Sequence, residues 1–189
     1  MTKNLLQIIK DTAVSFNQDW EPAAAFIEVE SGGEGFDPKT GRILIQFEPA
    51  WFRKQAPYAP SGAWSVNKVD VQRQEWFAFN DAWNKDKEAA LKSTSIGLGQ
   101  IMGFHYKRLG YQTAGEMWDD AKKGLHRQVW QIFKFIETDA RLQAALQKKD
   151  WATVATIYNG PKFRELAKKY GRVPYDISMK ESYEKFKML

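Results

Sequence analysis

The sequence predicts a mainly α-helical fold with a small β element, and three observations carry that prediction. Apolar residues recur at helical spacing over most of the chain; Leu125, Val129, Ile132, Phe133 and Ile136 form one such stripe. Helix-start chemistry stands where such stretches open, as in the capping box Thr113-x-x-Glu116 and in Asp150 ahead of Trp151. The best strand candidate is one short run, Arg42-Ile43-Leu44-Ile45-Gln46-Phe47-Glu48, bounded by Gly41 and Pro49.

In chain order, residues 5–16 read as a short amphipathic helix, interrupted by Asn17-Gln18-Asp19. A central helix follows with Pro22 in its first turn, where the proline ring is tolerated. Along it Ala23, Phe26, Ile27 and Glu30 share one face, with Ala25 and Val29 beside it. Glu21, Ala24 and Glu28 fall on the opposite, wetter face, so Glu28 reads as an ordinary solvated glutamate. Gly32-Gly33 can end the helix in the left-handed conformation. Phe36 to Gly41 is turn chemistry ahead of the strand.

Residues 55–67, with Pro57, Pro60, Gly62 and Trp64, read as a surface loop. A helix is expected over about 70–91, carrying Trp76, Phe77, Phe79 and Trp83. Core packing is the default for these rings, and any that prove exposed suit stacking on sugars. The helix must loosen across Ser93 to Gly103, where Gly97 and Gly99 stand close together. Further helices carry Leu142, Ala145 and Leu146, then Val154, Ala155 and Tyr158 up to Asn159-Gly160-Pro161. Phe163, Leu166, Ala167 and Tyr170 mark another, ended by Gly171, and a last one spans about 176–187. No repeat or convincing linker interrupts the chain, so residues 1–189 read as one domain.

The chain contains no cysteine, which excludes disulfides and thiol chemistry. Its two histidines, His105 and His126, lack zinc-site spacing, and no nucleotide-binding glycine loop occurs. Neither a metal nor a cofactor is expected. The net charge of +5 favours an anionic partner such as nucleic acid, anionic lipid or cell-wall polymer. Acidic and basic residues are interspersed and no nucleic-acid-binding motif appears, so nucleic acid is not expected. No run reaches transmembrane length, and Met1 to Lys10 is too short and broken for an export signal. The expectation is a monomer with no stable membrane insertion.

Glu30 is the residue with the sharpest chemistry. It ends the apolar stripe of the central helix, where desolvation and the negative end of the helix dipole both disfavour its ionised form. A carboxyl kept protonated near neutral pH is what a general acid in sugar-bond cleavage needs. The plainer alternative is a structural glutamate paired with an Arg or Lys.

Three separated segments then line up with one family. Glu30-Ser31 after an apolar helix, Gly97-x-Gly99-Gln100-Ile101-Met102, and Ala155-x-x-Tyr158-Asn159-Gly160-Pro161 resemble three signatures of the lysozyme-like superfamily, which includes lytic transglycosylases and goose-type lysozymes. More closely, the chain resembles the N-acetylmuramidase domain of phage endolysins, through Phe26 to Phe36, Ile45-x-Phe47-Glu48, Ser93-x-Ser95-x-Gly97-Leu98-x-Gln100-Ile101-Met102-Gly103, Tyr158-Asn159-Gly160 and Tyr175-Asp176. The resemblance runs from about residue 20 to the C-terminus. It departs from the family pattern at Pro49, often histidine, at Lys92, often glutamate, at Ile96, often aromatic, and at Gly99, often bulky.

The resemblance implies a lysozyme-like α+β fold and a peptidoglycan substrate cut at the β-1,4 bond between N-acetylmuramic acid and N-acetylglucosamine, with Glu30 as general acid. Glu48 is the candidate base or water-orienting carboxylate; alternatively it is a strand-end glutamate paired with Arg42 or Arg53. Ser93 and Ser95 either hold the water or an N-acetyl group or make helix-end hydrogen bonds. Gln100 and Asn159 can each donate to and accept from sugar amides and hydroxyls. Tyr158 packs in the core by default, whereas the family pattern sets its hydroxyl near the catalytic glutamate. Competing readings are a lytic transglycosylase and a non-catalytic wall-binding module. The resemblance and the missing export signal together imply a protein held in the host cytoplasm before lysis, acting on the wall after release.

Overall fold

The computed structural model describes residues 1–66 and 71–189. In chain order the helices are α1 (Lys3–Phe16), α2 (Trp20–Ser31), α3 (Pro49–Gln55), α4 (Gln72–Lys85), α5 (Lys87–Lys92) and α6 (Ala114–Ala121). There follow α7 (Leu125–Glu137), α8 (Ala140–Lys148), α9 (Trp151–Asn159), α10 (Phe163–Lys169) and α11 (Tyr175–Lys187). Three strands, β1 (Ile45–Phe47), β2 (Thr94–Ile96) and β3 (Ile101–Met102), form one antiparallel sheet in the order β1-β2-β3. The fold is therefore mainly α with a small β element. Among the described residues no helix is long and apolar enough to cross a membrane. The residues gather into two compact units, Met1–Gly33 with Ile132–Leu189, and Glu34–Gln131.

The first unit is all helical and is built on α2. Every residue from Pro22 to Ile27 is buried, including Ala24, whose expected place was the wet face. The correction has a simple cause: α2 packs against both α1 and α11, so no side of its first two turns is left for water. Burying side chains such as Phe26 and Ile27 contributes about 1.5–3 kcal/mol each. Nor is Glu28 a solvated glutamate. It accepts from the Ser182 hydroxyl at 2.5 Å and from the Lys185 ammonium, both on α11. Burial opposes its charge, but these bonds and the lysine outweigh it, and the carboxyl lies below its ordinary pKa. Trp20 meets Phe186 while Glu30 meets Tyr175, so α2 and α11 run antiparallel. α2 ends as expected, with Gly32 at φ 63° and its N–H donating to Glu28 O.

The second unit carries the sheet. Its strand is shorter than the sequence suggests: Ile45 to Phe47 alone form a ladder, with an isolated bridge between Phe36 and Ile43. The outer edge of β1 is covered by side chains instead of a fourth strand. Gln72 accepts from Ile45 N–H at 3.1 Å and donates to Ile45 O at 2.8 Å, and Glu75 accepts from Phe47 N–H at 2.7 Å. This satisfies backbone groups that an open edge would leave bare.

Three other expectations for this unit are corrected. The helix expected over 70–91 is broken at Asp86, whose carboxylate caps α5 by accepting from Ala89 N–H at 2.8 Å; position 70 lies outside the described residues. The proline-bearing segment 55–67, whose last residue is likewise outside them, is not simply a surface loop. Trp64 is fully buried in a 3-10 turn, packed on Phe52 with ring centroids 4.9 Å apart, and its indole donates to Pro60 O. The stretch after Lys92 does not merely loosen: it folds back as the β2–β3 hairpin. In the first unit, Leu166 and Tyr170 are exposed, although their spacing suggested an apolar face.

Candidate active site

Glu30 occupies the last turn of α2, where the buried helix ends at Gly32. Its side chain is half-buried, and the Tyr175 hydroxyl donates a hydrogen bond to Oε1. Burial pushes its pKa from 4.5 up to about 8, while the bond from Tyr175 pulls the other way. Tyr175 itself is driven well above 10 by burial and then by the neighbouring carboxylate, so it remains a donor. Its raised pKa thus favours the protonated carboxyl at neutral pH.

Tyr158 supports this corner from α9. Its ring meets Phe26 edge-on at 4.6 Å and stacks on Tyr175 at 6.2 Å. Thus Tyr158 braces the tyrosine that bonds Glu30. Asn159 is exposed at the end of α9, where Gly160 stops the helix.

The second unit holds the other candidates. Glu48 follows β1 and stands at the N-cap of α3 without making a side-chain cap bond. Its Oε1 accepts from the Gln46 amide at 3.2 Å. Arg42 lies over the Trp76 ring and Arg53 over Trp64, and among the described residues neither pairs with Glu48. Burial, and then the charge of Glu75, raise the Glu48 pKa.

The hairpin residues are occupied with structure. Ser93 is fully buried, and its carbonyl accepts from Glu48 N–H at 2.9 Å. Its hydroxyl is buried and finds no hydrogen-bond partner among the described residues. Ser95 is nearly buried and its hydroxyl donates to Gln100 Oε1 at 2.9 Å; the Gln100 amide in turn donates to Gly97 O at 2.8 Å. Both ends of the Gln100 amide thus brace the turn, whose φ angles are +65° at Gly97 and +45° at Gln100.

A family model for N-acetylmuramidase matches residues 19–187. The chain belongs to the N-acetylmuramidase family. Membership makes it a peptidoglycan hydrolase. The comparison with curated proteins found no match. Among solved structures, the muramidase is similar to the crystal structure of Burkholderia AP3 phage endolysin, with 29% identity and a TM-score of 0.78, over 97% of this chain and 70% of that one. This likeness supports the lysozyme-like α+β reading of the fold.

Where this muramidase departs from the family pattern, the substitutes have other partners. Lys92 pairs with Glu88 at 3.1 Å, Ile96 is buried in β2 opposite Ile45, and Pro49 opens α3 directly after Glu48. Sequence reasoning missed Tyr175, Glu75 and Gln128. Glu75 and Gln128 had a readable signal: each is a polar residue inside an apolar helical stripe, and each proves almost wholly buried. Gln128 accepts from Leu98 N–H at 2.9 Å and donates to Ala121 O at 3.1 Å, which ties the hairpin turn to α7. Tyr175 had no local signal beyond its match to the family.

Proposed function

We propose that this muramidase is a glycoside hydrolase whose residues 1–189 act as one catalytic domain on the β-1,4 bond between N-acetylmuramic acid and N-acetylglucosamine. Glu30 is its general acid. The observation that carries this reading is the Glu30 carboxyl, raised to about 8 by burial and held by Tyr175. As the glycosidic bond breaks, Glu30 gives its proton to the leaving oxygen and the sugar develops oxocarbenium character. Glu48 takes the second role, as the carboxylate that orients or deprotonates water. Asn159, exposed, is the residue we assign to sugar amides and hydroxyls, with Tyr158 holding Tyr175 in register. The chain acts as a monomer, stays in the host cytoplasm until lysis and reaches the wall on release, as an endolysin does.

The test is digestion of purified sacculi by the wild type and by Glu30→Gln, with mass spectrometry of the soluble products. The expected wild-type products carry reducing muramic ends, and the variant releases none. Products ending in 1,6-anhydromuramic acid would instead make the enzyme a lytic transglycosylase. Full activity in Glu30→Gln would remove Glu30 from the mechanism.

A further inference from the structure

The outer face of α4 carries features that the catalytic reading does not use. Glu75, Ala78, Phe79 and Ala82 form its buried face, of which Glu75 bonds β1. Roughly opposite, at helical spacing, lie Arg73, Trp76, Phe77, Asn80 and Trp83. Phe77 is 68% exposed, which is unusual for a ring in the middle of a long helix. Two concavities flank this stripe. A groove of about 660 Å³ is lined by Arg42, Arg73, Trp76, Phe77 and Asn80 among others. A cavity of about 220 Å³ is lined by Trp76, Asn80, Trp83, Trp118 and Lys122 among others. Trp76 and Asn80 belong to both, so the two adjoin along one helix.

We propose that this face of α4 is a second glycan-binding surface, which holds an amino-sugar strand of peptidoglycan through residues separate from Glu30 and Glu48. The proposal rests on the hydrolase reading for the identity of the polymer. Aromatic faces pack against the C–H faces of sugar rings; Phe77 offers an exposed ring, flanked within roughly two turns by half-buried Trp76 and Trp83, over which Arg42 and Lys87 lie. Asn80 sits between them with an exposed amide able to donate to and accept from acetamido groups. The wall polymer is anionic through the free carboxylates of its stem peptides. Arg42 and Arg73 at the rim complement that charge, against Asp37, while Lys122 is paired with Asp119 at 3.1 Å. An isolated exposed phenylalanine would need no explanation; a ring row with cations at its rims and two adjoining concavities is a surface with a ligand chemistry.

The experiment uses the full chain carrying Glu30→Gln, so that sacculi are bound without being cut. Sedimentation with purified sacculi is compared for this protein and for versions that also carry Phe77→Ala or Trp83→Ala. The expected result is at least a fivefold weaker apparent affinity for each, with Phe77→Ala leaving the melting temperature within about a degree, since the side chain is exposed. Equal binding by the parent and Phe77→Ala would overturn the proposal. So would a parent that does not bind sacculi, or a parent whose exposed rings pair two copies, seen as dimers that Phe77→Ala dissolves. The hydrolase reading is judged separately, by products released from sacculi by the Glu30 form. It can stand while this surface falls.

Discussion

The Tyr175 hydroxyl donates its hydrogen bond to Glu30 across 145 positions of sequence. The first residue of α11 thus reaches the last turn of α2, and it favours the ionised form of a carboxyl that burial holds at about 8. Removing the donor in Tyr175→Phe leaves burial unopposed, so the Glu30 pKa rises further. A general acid works while protonated, and activity falls as pH climbs through its pKa. The basic limb of the pH–rate profile is therefore expected near 8 in the wild type and about one unit higher in Tyr175→Phe. A downward shift of that limb would mean that Tyr175 holds the proton in place of stabilising the charge.

The same group links pH to stability. In the folded chain Glu30 keeps its proton to about 8, whereas in the unfolded chain it releases it near 4.5. Between these values the folded state binds more protons, so this contribution is present below 4.5 and is lost as pH rises through 8. Glu30→Gln has no proton to lose. Its melting temperature should match the wild type at pH 4 and exceed it at pH 9. Discounting for the part-exposed side chain, we expect about 2 kcal/mol, or roughly 4–8 °C. Parallel melting curves across that range would show that Glu30 is not desolvated.

What the sequence made legible follows the range of the forces involved. Helices with local caps were readable: Thr113 accepts from Glu116 N–H and Asp150 from Thr153 N–H, both within one turn. Glu30 was readable because its apolar neighbours and terminal glycines lie in the same helix. The β2–β3 hairpin was not, since the Gly97-Leu98-Gly99-Gln100 turn is bonded by Gln128, thirty residues away. Asp86 was hidden inside an aromatic helical pattern, where its capping bond outweighed continuity. Glu28 was misread because a helical wheel shows faces but not what covers them, and its cover is Ser182 and Lys185 at the far end of the chain.

Glu75 gives a means of moving the second carboxyl without touching it. Burial raises the Glu48 pKa first, and the Glu75 charge adds to it. Glu75→Gln removes that charge while keeping an oxygen to accept from Phe47 N–H. The Glu48 pKa should then fall. If Glu48 acts as an ionised base or water-orienting group, activity is lost as pH drops through that pKa. The acid limb of the rate profile is expected at lower pH in Glu75→Gln, with the basic limb unchanged. An unmoved acid limb in a variant with normal thermal stability would assign it to some other group.

Gln128 and Gly97 test whether the hairpin is held from α7. Gln128 is 1% exposed and serves Leu98 N–H and Ala121 O together. Gln128→Leu keeps much of the volume but strands both backbone groups, at a cost of roughly 2–4 kcal/mol. Gly97 adopts φ +65°, and a Cβ there would stand 2.6 Å from Gln128 Oε1. Gly97→Ala should therefore destabilise through both backbone strain and collision. The cycle pairs Gly97→Ala with Gln128→Ala, and in Gly97→Ala/Gln128→Ala the shortened partner removes the collision. The double variant should then lose less than the sum of the two single losses, by about 1 kcal/mol or more. Urea unfolding midpoints at unchanged slope measure all four species. Strict additivity would mean that the glycine answers to φ alone and that Gln128 does not shape the turn.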